Sequence, residues 1–99
     1  MFAQRIRQLR EEKQLFQRQI SAALEMDNAL YCKIESGSRQ VRREQVIKLA
    51  ELLDADQEEL LKFWLADKVY DIVGEEDGAN DVLNIVAESI VEYKRAKPQ

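Results

Sequence analysis

The sequence predicts an all-α protein, and three observations predict it. Apolar side chains recur at three- and four-residue spacing along most of the chain, and no segment alternates as a half-buried strand does. Glycine and proline are scarce, three and one in 99 residues, and they fall between or beyond the apolar repeats. At 45% hydrophobic and 34% charged, the composition suits helices with short connections around one core.

The elements follow in order. From Phe2 to about Lys13, Phe2, Ile6 and Leu9 share one face with Arg5, Arg7 and Arg10 between them, an amphipathic helix. A second helix runs from about Gln17 to Leu24, with Ile20, Ala23 and Leu24 inward; Ser21, Ala22 and Ala23 are small enough for close helix packing. Asp27 or Asn28 can cap a short third helix that ends before Gly37 in the Ser36-Gly37-Ser38 turn. A fourth, Arg43 to Leu53, carries Val46, Ile47, Leu49, Ala50 and Leu53 on a broad face and stops at Asp54-Ala55-Asp56. Asp56 with Glu59 three residues on has the form of a capping box for a fifth helix. Its apolar residues, Leu60, Leu61, Phe63, Trp64, Leu65, Val69, Tyr70, Ile72 and Val73, exceed one narrow stripe, so it needs cover on more than one side. Gly74 to Gly78 is a polar turn. Asn80 or Asp81 then caps a last helix bearing Val82, Leu83, Ile85, Val86, Ile90, Val91 and Tyr93, which stops before Pro98 in a basic tail of Lys94, Arg95 and Lys97.

Charge is unevenly distributed. The net charge is −4, yet residues 1–48 hold ten basic against six acidic side chains, and residues 49–99 hold five against thirteen. A basic part joined to an acidic part suits a surface facing a polyanion beside one that avoids it; the alternative is ordinary solvated helix charge. Cys32 is the single cysteine, which rules out an intramolecular disulfide and fits a cytoplasmic protein. No signal-peptide pattern opens the chain, and no apolar run reaches the roughly 18 to 20 residues of a membrane span, so neither export nor a membrane partner is expected. Catalytic chemistry is not expected either: there is no histidine, glycine-rich phosphate loop, nucleophile with a base, or Cys/His metal cluster. No catalytic residue, metal ligand or cofactor is assigned.

Three short helices with tight turns, the third short and polar at its start, fit a helix that presents side chains to the DNA major groove. The residues Leu9-Arg10-Glu11-Glu12-Lys13, Gln17, Ala23-Leu24, Ile34-Glu35, Gly37 and Lys48-Leu49-Ala50 add register to that spacing. In these, the stretch from about Ile6 to Leu60 resembles the Cro/CI-type, or xenobiotic-response-element, helix-turn-helix family. Its most specific parts are Ile34-Glu35-x-Gly37 and Lys48-Leu49-Ala50-x-x-Leu53.

The resemblance implies a five-helix lambda-repressor-like DNA-binding domain over residues 1–65, with a C-terminal helical extension over 66–99. It implies that the helix from about Asn28 to Glu35 reads bases through Asn28, Ala29 and Lys33, with Cys32 beside them. Asn can pair bidentately with adenine, Lys can donate to guanine, and Ala can lie against a thymine methyl; Asn28 as a plain helix cap is the alternative. Gln17 matches a glutamine that donates to a phosphate at the start of the second helix, with Arg18 next to it. Ser36, Ser38, Arg39, Arg42 and Arg43 fall where family members touch the DNA backbone.

Some positions depart from the family pattern. Gln14 and Glu25 stand where glycine is common, so each must accept a left-handed backbone or the turns differ. Phe16 replaces a Ser or Thr cap and is expected to pack instead. Tyr31 replaces an inward aliphatic residue; its ring is expected to pack while its hydroxyl reaches the surface or a phosphate. Cys32 is read as a small polar residue rather than a redox switch.

The apolar residues beyond the resemblance need cover. A homodimer face built from Phe63, Trp64, Val69, Tyr70, Val73, Leu83, Val86 and Ile90 is expected, with Phe63, Trp64 and Tyr70 as anchors, unless these close the monomer's own core. The function expected is a sequence-specific regulator on a palindromic operator, a repressor or a restriction-modification controller. The alternative is an antitoxin or partner-binding subunit whose last helices hold a second protein.

Overall fold

The computed structural model describes residues 1–96. Within them the chain forms six helices and no strand: α1 (Phe2–Glu12), α2 (Gln17–Ala23), α3 (Asn28–Glu35), α4 (Arg43–Leu52), α5 (Gln57–Val73) and α6 (Ala79–Ala96). Lys97 and Pro98, expected in the basic tail, lie outside the described residues. No described helix is long and apolar enough to cross a membrane.

The chain divides into two compact units, residues 1–67 and residues 68–99, two residues beyond the boundary expected from the resemblance. The charge division falls elsewhere. Residues 1–67 hold eleven basic and twelve acidic side chains, so both signs lie within the first unit instead of separating the two.

The first unit is built on the faces that helical spacing marks. Phe2, Ile6 and Leu9 of α1, Ile20 of α2, Val46, Leu49 and Ala50 of α4, Leu53 and Leu60 are all buried together with Tyr31, Ile34 and Val41. Each full burial of such a side chain contributes about 1.5–3 kcal/mol before ordering costs. Phe63 and Trp64 are half-buried against this same cluster. The Trp64 indole N–H donates to the Val41 carbonyl at 2.9 Å. Two of the three expected dimer anchors, Phe63 and Trp64, therefore pack on the core of their own unit, Trp64 with an acceptor from the α3–α4 connection, while the third, Tyr70, is exposed. Of the small residues in α2, Ser21 is buried and Ala22 is exposed.

Four helices end in the same way. After α1, α2, α3 and α4 the chain passes through a left-handed residue, Gln14 (φ 57°), Glu25 (φ 57°), Gly37 (φ 85°) and Asp54 (φ 49°) respectively. In each, that residue's N–H and the next one's turn back onto the last helical carbonyls: Gln14 to Glu11 and Leu15 to Arg10, Glu25 to Ala22 and Met26 to Ser21, Gly37 to Ile34 and Ser38 to Lys33, Asp54 to Glu51 and Ala55 to Ala50. This is the Schellman arrangement, which satisfies carbonyls that the helix leaves open. The departures at Gln14 and Glu25 are thus tolerated at the cost of left-handed strain, and Asp54 is a third case. Leu15, Met26 and Ala55, the residues after the left-handed one, tuck against the core. The turn after α3 alone uses glycine and follows it with an exposed residue, Ser38.

Helix starts are handled by glutamine. Phe16 and Arg42 precede α2 and α4 in extended conformation and offer no side-chain cap. Instead the Phe16 N–H donates to Gln19 Oε1 at 2.7 Å and the Arg42 N–H donates to Gln45 Oε1 at 2.9 Å. These are the reverse halves of capping boxes. Phe16, expected to pack, is 61% exposed, and Arg18 lies over its ring at 5.2 Å. At α5 the Glu58 N–H donates to Asp56 Oδ1, but Glu59 does not complete the expected box: it pairs with Arg5 of α1 at 2.9 Å. Asn28 is the first residue of α3 and follows Asp27, whose side chain makes no cap hydrogen bond. Asn80 and Asp81 sit in the first turn of α6, which starts at Ala79, so neither precedes it as a cap.

The second unit holds the end of α5 and all of α6. No residue of α6 is buried. Tyr70 and Ile72 are 62% and 77% exposed, and Val82, Leu83, Val86 and Ile90 are exposed on α6.

Candidate nucleic-acid interface

α3 is held in place by a buried polar cluster. Arg10 of α1 donates to both oxygens of Glu35, from Nε at 2.8 Å and Nη2 at 3.1 Å, while its Nη1 donates to the Leu15 carbonyl at 2.8 Å. Gln17 of α2 donates to the same carboxylate at 3.1 Å. One acceptor thus ties α3 to α1 and α2 at once. Burial alone would raise the Glu35 carboxyl, but the hydrogen bonds from Arg10 and Gln17 and the guanidinium charge outweigh it, and its pKa is lowered. The Glu35 bond in turn raises Arg10 against its partial burial.

Tyr31 lies fully inside this cluster, and its hydroxyl has no hydrogen-bond partner among the described residues. The expected route for that hydroxyl to the surface or a phosphate is closed. Burial first, then the nearby Glu35 carboxylate, hold the phenol proton on and push its pKa up.

Asn28, Ala29 and Lys33 face solvent from α3, and Cys32 is half-buried beside them. Asn28 Oδ1 accepts from Ser21 Oγ at 3.2 Å, and its Nδ2 approaches Cys32 Sγ at 3.9 Å. The Cys32 thiol donates to Gln17 Oε1 at 3.1 Å. Gln17, expected to donate to a phosphate, hydrogen-bonds Glu35 through its amide nitrogen and Cys32 through its amide oxygen in this structure. Arg18 beside it is exposed.

The turn after α3 is ordered by its own hydroxyls. Ser36 and Ser38 both donate to the Lys33 carbonyl, at 2.9 and 3.2 Å, and lie 3.0 Å from each other. Arg39, Arg42 and Arg43 follow and are exposed; Arg43 stacks over Trp64 at 5.3 Å. Leu30, Ile34, Arg39, Gln40, Arg42 and Gln45 line an open crease on this side of α3. The structure therefore brings Asn28, Ala29, Lys33 and the Ser36–Arg43 segment onto α3 and the turn after it. It buries Tyr31 and engages the half-buried Gln17 amide with Glu35 and Cys32. Such a face can donate to base edges from Asn28 and Lys33 and to phosphates from the arginines.

Three contributors escaped the sequence reading. Arg10 and Glu35 stand in the family register with no partner assigned, and Ser21 reads only as a small residue. Glutamine at the third helical position was the readable signal for the α2 and α4 starts.

Residues 1–63 match a family described as a helix-turn-helix domain. No curated protein and no solved structure matches the chain.

Proposed function

The chain belongs to the helix-turn-helix domain family, and from that premise we propose that it is a Cro/CI-type transcriptional regulator that binds a palindromic operator as a homodimer. The observation that carries this reading is that Asn28, Ala29 and Lys33 are exposed on α3 and that the segment following it exposes Arg39 and Arg42, neither of which has an ion-pair partner among the described residues. Such a face combines base-edge donors with phosphate-binding cations. Arg18, Arg43, Ser36 and Ser38 extend the backbone contacts, and each neutralised phosphate steepens the fall of log K with log salt by about 0.9.

The second copy is supported by the last two helices. Val69 and Tyr70 on α5, and Leu83, Val86 and Ile90 on α6, are exposed apolar side chains, with Val73 half-buried among them. Large exposed apolar patches mark interaction surfaces, and a second copy of this chain is the partner proposed for these side chains. Two copies related by a two-fold axis set two recognition helices about 34 Å apart, which calls for half-sites one helical turn apart. Repression is the regulatory sense proposed.

The test is selection from a random duplex pool at moderate salt, with the mass of the bound species measured in parallel. A palindromic site bound by two chains supports the reading. A folded protein that enriches no duplex ends it. Lys33→Ala should lower specific affinity more than non-specific affinity, whereas Arg39→Ala should lower both and flatten the salt dependence.

A further inference from the structure

The hydrogen bonds around Asn28 form a line whose direction is set from one end. Glu35, ionised and bridged by Arg10, can only accept. The Gln17 group facing it at 3.1 Å must therefore be the amide nitrogen, which turns Gln17 Oε1 toward Cys32. Facing an acceptor at 3.1 Å, the thiol must donate its single proton there, and Sγ is left as an acceptor. The end of Asn28 that approaches Sγ at 3.9 Å must then be Nδ2, and Oδ1 falls to Ser21 at 3.2 Å.

Ser21 could not make this choice. Its one proton has two acceptors, Asn28 Oδ1 at 3.2 Å and the Arg18 carbonyl at 3.1 Å, and its oxygen could equally accept from an inverted amide. The decision comes through Cys32.

We propose that the line Glu35–Gln17–Cys32–Asn28–Ser21 holds the Asn28 carboxamide in one of its two orientations, making Gln17 and Cys32 positioning residues for base discrimination, while Ser21 donates to the oxygen that this orientation presents. The amide nitrogen and oxygen each keep one hydrogen-bonding site unused by these partners, a donor and an acceptor in fixed order. Base edges in the major groove differ in that order: adenine offers N7 then N6, acceptor then donor, whereas a C·G pair offers cytosine N4 then guanine O6, donor then acceptor. A locked amide matches one order. An amide free to turn over matches both.

The inference rests on Asn28 being a base-reading side chain, and two measurements separate the failure of that reading from the failure of the lock. The first is nuclear Overhauser spectroscopy of the free protein. Contacts from the Asn28 Nδ2 hydrogens to the Cys32 side chain and not to Ser21 are expected, and equal contacts to both overturn the lock. The second is duplex selection with the parent chain, Asn28→Ala, Cys32→Val and Cys32→Ser. The parent should prefer one base pair by about tenfold at the position that Asn28→Ala makes indifferent. Cys32→Val, which has neither donor nor acceptor, should admit a second base pair there, and Cys32→Ser should restore the single preference. An unchanged preference in Cys32→Val overturns the proposal even if the variant binds tightly. A parent that enriches no duplex overturns the consequence for base reading, and the spectroscopic result then decides the orientation.

Discussion

The first unit and α6 carry apolar residues at the same helical spacing, yet they end in opposite environments. Among the described residues, all twelve buried hydrophobic side chains lie within residues 1–67, and α6, with seven large apolar side chains, buries none. The difference teaches that periodicity specifies a helix and its apolar face but not what covers that face. In residues 1–67 the cover comes from neighbouring helices, locked by one buried carboxylate. On α6 no residue is buried, and the homodimer proposed above is what would cover its apolar side chains.

Removing that lock is the strongest way to break the contrast. Glu35→Ala leaves Arg10, whose side chain is 13% exposed, without its partner and should cost about 3–5 kcal/mol in chemical denaturation. A loss below about 1 kcal/mol would mean that the ion pair is dispensable.

A matched pair of truncations probes the apolar faces directly. Leu49→Ala, at a fully buried site, should destabilise by about 3 kcal/mol. Ile90→Ala should change the unfolding of residues 1–67 by less than about 0.5 kcal/mol, and Ile90→Glu should shift the proposed homodimer toward monomer in sedimentation. An Ile90→Ala penalty equal to that of Leu49→Ala would erase the distinction.

Acid should act on the first unit through Glu35. Its folded pKa is lowered, so the stability it contributes is present above its ordinary value of 4.5 and is lost as pH falls through the folded pKa. Denaturation midpoints at pH 6 and pH 3 should differ less in Glu35→Gln than in the parent; an equal difference removes Glu35 from the account. Tyr31 has the opposite sense. Its raised pKa makes stability decline as pH rises beyond its ordinary value of 10.0.

The smallest effect expected is a gain. Gln14→Gly and Glu25→Gly relieve left-handed strain and should each stabilise by about 0.5–1 kcal/mol, read as a higher melting temperature. A loss at Gln14 would show that its side chain has a role beyond ending α1.

The family resemblance pointed to the face of α3 that carries Asn28, Ala29 and Lys33 and to left-handed or altered turns at Gln14 and Glu25; the sequence by itself determined the helices and the inward faces of α1 and α4. These are properties of neighbours one turn apart, and helical geometry turns spacing into position without reference to the rest of the chain. Only the tertiary structure decided that Arg10 reaches Glu35 across 25 residues, that the Gln17 amide bonds Glu35 and Cys32, that Tyr31 turns inward, that Phe16 stays outside and that Trp64 closes its own core. A polar or aromatic side chain takes its direction from the partner that completes its hydrogen bonds or packing, and that partner is supplied by another helix.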